Sequence, residues 1–253
     1  MKQQHIYDLW DSLAEFGPAR SEEALLHLLA GLCEILEAQQ AYWFGAVRLN
    51  MPGDPMGGWR PAGIRYLHAE PRREAAYIEH CRRIQRRDID PSILANLRGA
   101  GTFRVNLQSD TVTPDWFDSE FYRSLVKPFS IRDTAYMVMP VNPDMESWLG
   151  VERIGRNRPM YSQADRDLLL LTGRALKWFH RHVALQRGLL IADKPLTDTE
   201  RRVLSALLGG GSESEIAAQL GLTRATVHTY ATRIFRKFNV KGRNGLTRLW
   251  LGH

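Results

Sequence analysis

The chain has 253 residues, enough for one large domain or two small ones with a real core. Its 44% hydrophobic content is that of a globular protein, no run approaches the roughly 20 apolar residues of a membrane span, and two widely separated cysteines, Cys33 and Cys81, exclude a disulfide framework or a zinc cluster. The formal charge of +6 is unevenly placed: residues 195–253 hold nine Lys/Arg against four Asp/Glu, a net of +5, and the other 194 hold 25 against 24, a net of +1.

The opening residues, "MKQQHIYDLWDSLAEF", lack the apolar run of a signal peptide, so a cytoplasmic protein is expected. Residues 21–37 show apolar positions at helical spacing behind Ser21, a helix cap. "AYWFGAVRL" (41–49) reads as a strand, and after a Gly/Pro loop "AGIRYLH" (62–68) reads as another. A charged helix follows over 72–87, then helical turns near "DPSILANL" and "PDWFDSEFYRSLV". "DTAYMVMPV" and "SWLGVERIG" are spaced to pair as a hairpin across "NPDME". One long helix is expected over 162–190, and its Leu run with Trp178 offers a dimer surface. Together these elements predict an α+β chain whose residues 1–190 form an α/β/α sensor sandwich on a mainly antiparallel sheet. Pro195 disfavours helix at Lys194, which places a linker at 191–195 and a second domain, all helical, at 196–253.

That second domain is punctuated locally. "TDTE" (197–200) and "SESE" (212–215) are capping boxes, Thr223 caps a further helix, and Leu222 with Val227 forms a hydrophobic staple. Only "LGL" separates the second helix from the third, the length and Gly content of a helix-turn-helix. On the third helix Val227, Ala231, Ile234, Phe235 and Phe238 make one apolar stripe. The opposite face carries Ala225, Thr229, Thr232 and Arg236, flanked by Arg224, His228 and Arg233, with Lys237 to the side. Small residues permit approach to base edges, Thr and Arg can bond them, and cations suit phosphate, so this face is expected to bind double-stranded DNA in the major groove, with Lys237 beside a phosphate. A solvated face that is merely basic is the bland alternative.

The stretch "LTDTERRVLSALLGGGSESEIAAQLGLTRATVHTYATRIFRKFNVKGRNGL" resembles the DNA-binding domain of LuxR-type transcriptional regulators. Leu196, Thr197, Glu200, Leu204, Gly210, Glu215, Ile216, Ala217, Thr226, Val227, Val240 and Arg243 carry the likeness. The family usually has Lys and His where this chain has His228 and Tyr230. The resemblance implies a four-helix C-terminal domain, a homodimer and a pseudo-palindromic DNA site. Residues 20–190 resemble the GAF/PAS-like sensor half of such regulators, through "DWFDSEFYRSLVKPFSIRD", "SWLGVERIG" and "QADRDLLLL". A phosphoreceiver is excluded because Asn50 and Met51, not an acidic pair, follow the first strand.

A sensor of this kind implies a small amphipathic ligand. Trp43, Tyr66, Tyr77, Trp116, Phe121, Tyr122, Tyr136 and Met137 lie on the expected sheet or its covering helices, where each is either cavity lining or plain core. Asp90-Pro91 matches the Asp-Pro of acyl-homoserine-lactone receptors, with Tyr77 and Cys81 standing where those receptors have Trp and Tyr. Asp90 is either a ligand acceptor or an N-cap before Pro. Such a receptor, and a ligand-independent protein whose sensor half binds another regulator, are the alternatives. His180 and His182, two apart, do not share a helix face, so no metal site is expected. No GxSxG, HExxH, CxxC or Walker loop occurs, so neither enzymatic activity nor a cofactor is expected.

Overall fold

The computed structural model describes residues 2–49, 51–189 and 196–251; the expected linker at 191–195 lies outside the described residues. The chain divides into two compact units, one of residues 1–10 and 26–177, the other of residues 11–25 and 178–253. The division falls near residue 177, ahead of the expected boundary at 190.

The first unit is built on a five-stranded sheet in the order β2-β1-β5-β4-β3, every described pair antiparallel. The strands are β1 (Gln40–Arg48), β2 (Trp59–Tyr66), β3 (Arg104–Leu107), β4 (Ile131–Asn142) and β5 (Met145–Ile154). β4 and β5 form the expected hairpin, closing at the Asn142↔Met145 pair. β2 begins three residues before the sequence reading, because Trp59 pairs with Arg48 and lengthens the first hairpin. β3, four residues long, has no counterpart in that reading.

Alternation along the strands gives the sheet two different faces. On one, Ala41, Trp43, Met137, Leu149 and Val151 are buried, and helix α6 (Gln163–Arg174) packs on Met137 through Gly173. On the other, Tyr42, Phe44, Tyr136, Trp148 and Glu152 look toward helices α3 (Pro71–Gln85) and α4 (Pro91–Leu97). Helices on both faces make the layered α/β/α arrangement. Helix α1 (Lys2–Ala14) meets α2 (Ser21–Leu36) where Leu9 touches Gly31. Ser21 does not cap α2: a 3₁₀ turn, Pro18–Arg20, precedes it, and the Ser21 hydroxyl donates to the Pro18 carbonyl at 2.8 Å.

The single helix expected over 162–190 is two helices, α6 and α7 (Lys177–Gln186). In an unbroken helix the Leu176 amide would bond the Thr172 carbonyl. Here the Trp10 indole donates to that carbonyl at 2.9 Å, and the Leu176 amide turns back to Gly173 O at 2.9 Å. A side chain from α1 thus takes the acceptor that the helix needed to continue.

The second unit holds α7 and four C-terminal helices: α8 (Asp198–Leu208), α9 (Glu213–Leu220), α10 (Arg224–Lys237) and α11 (Arg243–Leu251). Val203, Leu204, Leu207, Ile216, Val227, Ala231, Ile234 and Phe238 form its core, each large side chain contributing roughly 1.5–3 kcal/mol by leaving water. In the first unit a short helix, α5 (Gln108–Thr111), follows β3, and short helical turns over Pro114–Asp118, Tyr122–Val126 and Lys127–Phe129 come after it.

Candidate functional site

The starts of α8, α9 and α10 are fixed by their own side chains. Thr197 and Ser212 each accept the amide of the residue three on, and Glu200 and Glu215 accept the cap amides in return. Thr223 Oγ1 accepts the Thr226 amide at 3.1 Å. Gly221, at φ +67°, turns the chain between α9 and α10 in the left-handed region that favours glycine. Arg243 donates to the carbonyls of Gly210 and Gly211, tying the start of α11 to the turn before α9.

These constraints set α10 with Val227, Ala231 and Ile234 inward and Arg224, Ala225, His228, Thr229, Thr232, Arg233 and Arg236 exposed. The seven residues therefore share one solvent face, as the helical spacing requires. Two details were not legible in the sequence. Glu213 of α9 comes beside the start of that face, 2.9 Å from His228 Nδ1 and 3.9 Å from Arg224 Nε. Lys237 turns from the face altogether: its ammonium lies 2.7 Å from Glu200 Oε2. The Thr229 hydroxyl donates to the Ala225 carbonyl at 3.0 Å, which leaves its oxygen free only to accept.

In the first unit a cavity of about 180 Å³ opens between the sheet and α3. Tyr66, Tyr77, Phe121 and Tyr136 line it, as do Tyr42, Phe44 and Trp148, which the sequence reading left out. Trp43 does not: it faces the other side of the sheet, fully buried, with its indole donating to Ser147 Oγ at 2.7 Å. Met137 shares that buried face. Asp90 and Trp116 are joined to each other, the indole donating to Asp90 Oδ2 at 2.8 Å while Asp90 Oδ1 accepts the Ser92 amide at 2.8 Å. Asp90 is thus the N-cap of α4, and Trp116 packs edge-on against Tyr122, neither residue lining the cavity.

Tyr42 defines the cavity floor. It stands opposite Gly150 in the β1–β5 register, and a Cβ on Gly150 would overlap its ring. Lying across the glycine, Tyr42 extends toward Tyr136 on β4. Burial pushes the Tyr136 phenol up to about 12, so both phenols stay neutral.

The polar wall is an ion pair. Arg73 of α3 meets Glu152 of β5 at 2.7 Å, both side chains nearly buried, and the guanidinium lies 4.7 Å from the Phe129 ring centre. Burial raises the Glu152 pKa above the usual carboxylate range, with Arg73 opposing. His80, half-buried on the same helix, is held down to about 4 by desolvation, so it presents a neutral ring. Alternation within "SWLGVERI" carried a signal for Glu152: it shares a parity with Trp148, on the sheet face that looks toward α3.

Residues 194–250 match the model described as bacterial regulatory proteins, luxR family. Over 59 residues, 23% of this chain, the sequence is 39% identical to the transcriptional regulatory protein MctR of Rhizobium johnstonii, and the match spans 28% of that protein's length. Similar solved structures include SdiA in complex with octanoyl-rac-glycerol, at TM-score 0.46 and 14% identity over 99% of this chain and 93% of that one. Escherichia coli SdiA gives 0.45 and 16% over 98% and 96%. The VqsR LBD domain from Pseudomonas aeruginosa gives 0.45 and 14% over 71% and 96%. The C-terminal segment, with its two capping boxes, glycine turn and basic outward helix, is a helix-turn-helix domain of the luxR family of bacterial regulatory proteins.

Proposed function

We propose that the chain is a cytoplasmic, homodimeric transcriptional regulator that reads a specific DNA site through α10 and is controlled by a small, mostly apolar ligand in the cavity of its first unit. The observation that carries the DNA reading is the outward face of α10, where Thr229 and Thr232 stand among exposed Arg224, His228, Arg233 and Arg236. Uncharged hydroxyls suit base edges, and Arg233 and Arg236 suit phosphate or guanine. The test is selection of duplexes from a random pool by the full chain, followed by titration of selected and scrambled sequences at several salt concentrations. Tight, salt-dependent preference for the selected site is expected; equal binding to both would sink the reading.

For the ligand, the cavity between sheet and α3 is the supporting observation: a sensor half acting only through protein contact has no need of an aromatic-lined space with one polar wall. With both Asp90 oxygens committed to Ser92 and Trp116, the cavity favours a ligand anchored elsewhere than at Asp90. Self-association is supported by Leu171 on α6 and Trp178 on α7, large apolar side chains each about 40% exposed. Sedimentation of the full chain tests it, and a strictly monomeric species at high micromolar concentration would remove the dimer.

A further inference from the structure

Several carboxylates are buried in the first unit, and their bonding differs in one respect. Glu146 has both oxygens occupied, Oε1 by Arg104 and the Gly101 amide, Oε2 by Arg104 and the Trp148 indole. Asp90 also has both occupied. Asp133 accepts the Thr134 amide on one oxygen and the Tyr161 amide on the other. Glu152 is unlike these: Oε2 takes Arg73 Nη1 at 2.7 Å, and Oε1 has no hydrogen-bond partner among the described residues while its side chain is only 5% exposed. Its partner is incomplete in the same way. Arg73 spends Nη1 on Glu152 and turns Nε toward Glu70 at 3.5 Å, with no bond recorded for Nη2 among the described residues. Both side chains line the cavity.

Neither Glu152 Oε1 nor Arg73 Nη2 is among the described side-chain atoms sealed away without a partner, so both are open to the cavity, where a polar atom is satisfied by whatever fills the space. Around the pair, Phe44 and Trp148 offer stacked aromatic surface, and among the described residues neither Thr134, opposite Glu152 in the β4–β5 register, nor Tyr42 nor Tyr136 makes a side-chain hydrogen bond to the Glu152 carboxylate. The pair therefore presents one acceptor and one donor, side by side, to whatever enters. Charge selects further. A carboxylate head would meet Glu152, an ammonium head would meet Arg73, and either would add an uncompensated charge to a space of low polarity.

The geometry points to Arg73 and Glu152 as the specificity-determining anchor of the cavity, taking a ligand with an apolar body and a neutral head that donates one hydrogen bond to Glu152 and accepts one from Arg73. This rests on the cavity being a ligand site, as proposed above. Asp90 has no part in the anchoring. Removing one member of the pair alone would leave a buried charge, so the informative variant replaces both with apolar side chains of similar volume, a change that buried pairs tolerate well.

The test is calorimetric titration of the full chain with four nine-carbon probes differing only in the head: nonanamide, methyl nonanoate, nonanoate and nonylamine. Nonanamide is expected to bind about tenfold or more tightly than each of the others. In the Arg73→Met, Glu152→Leu double variant, checked for folding by its melting transition, methyl nonanoate should still bind and the amide preference should vanish. Equal binding of amide and ester by the unaltered chain would overturn the anchor while leaving the cavity a ligand site. So would a preference for nonanoate or nonylamine, or an amide preference that survives in a folded double variant. Should the double variant not fold, the four-probe ranking on the unaltered chain decides by itself. Failure of the unaltered chain to bind any of the four would remove the ligand reading of the cavity, and the anchor with it.

Discussion

Lys237 at the end of α10 and Glu200 at the start of α8 share one oxygen: Glu200 Oε2 accepts the Lys237 ammonium at 2.7 Å and the Thr197 amide at 2.8 Å. The lysine expected beside a DNA phosphate is therefore a strut within its own domain. Burial alone would raise the Glu200 pKa, but Lys237 and the amide and hydroxyl of Thr197 together hold it below the usual range. Lys237→Ala is expected to destabilise the C-terminal unit by about 1–3 kcal/mol, the cost of stranding a largely buried carboxylate. Its charge being already compensated, the slope of log K against log salt for DNA binding should not change. Thermal melts and salt titrations of the variant check both halves, and a slope reduced by about one unit with an unchanged melt would restore the phosphate role.

On the outward face the expectations divide by side chain. Arg236→Ala should weaken selected and scrambled duplexes alike and lower the salt slope by about one. Thr229→Val keeps the shape but removes an oxygen that can only accept, so it should cost roughly 1 kcal/mol on the selected site and leave the slope alone. Equal weakening of both duplexes by the valine would mean that α10 does not meet base edges through this residue.

Asp90→Asn retains a side-chain oxygen for the Ser92 amide, and Asn caps helices nearly as well as Asp. What it loses is the charge-assisted bond from Trp116. A modest drop of about 1 kcal/mol in stability is expected, with the ranking of the four nine-carbon probes unaltered. A changed ranking would put Asp90 back into the site.

Gly150→Ala drives a methyl group into the Tyr42 ring. The variant should lose about 1–3 kcal/mol by overpacking and lose probe binding as the ring is pushed toward the cavity. Combining it with Tyr42→Leu should cost less than the sum of the two single changes, by about 0.5 kcal/mol or more. Additivity in denaturant titrations would show that the overlap is relieved elsewhere.

The C-terminal domain was readable almost residue by residue because its signals are local. A capping box spans four positions and a staple six, and the stripe of α10 needs one helix only. The first unit was less legible wherever a distant side chain decides the outcome. Nothing near Thr172 announces that Trp10 will take its carbonyl, so the break between α6 and α7 was invisible in a Leu-rich run. Likewise Trp43 and Tyr42 are both aromatic and adjacent, yet strand alternation sends one into the core and the other to the cavity. Parity counted from Tyr66 or Tyr136 across the sheet would have separated them, given the register. Arg73 and Glu152 stand 79 positions apart, and only the fold brings them together.

His180 on α7 is fully buried, and desolvation holds it down to about 3. The unfolded chain has an ordinary histidine there and binds more protons between about pH 6.5 and pH 3. Its contribution to stability is therefore complete above about pH 6.5 and is lost as pH falls toward 3, at up to about 1.4 kcal/mol per pH unit. His180→Leu should flatten this part of the profile, as measured by denaturant midpoints from pH 7 to pH 4.5. An unchanged slope would mean that other groups set the acid sensitivity.

The caps of α10 bear on how DNA finds it. A recognition helix that forms only on contact carries the entropic cost of ordering into the association step and shows a heat-capacity change larger than its interface explains. With Thr223 closing its first turn and Leu222 packed against the core cluster that includes Val227, α10 is already formed in the unbound chain. Encounter then depends on diffusion and the basic field of the last quarter of the sequence, and calorimetry of the complex should report the burial of a rigid surface with no folding contribution.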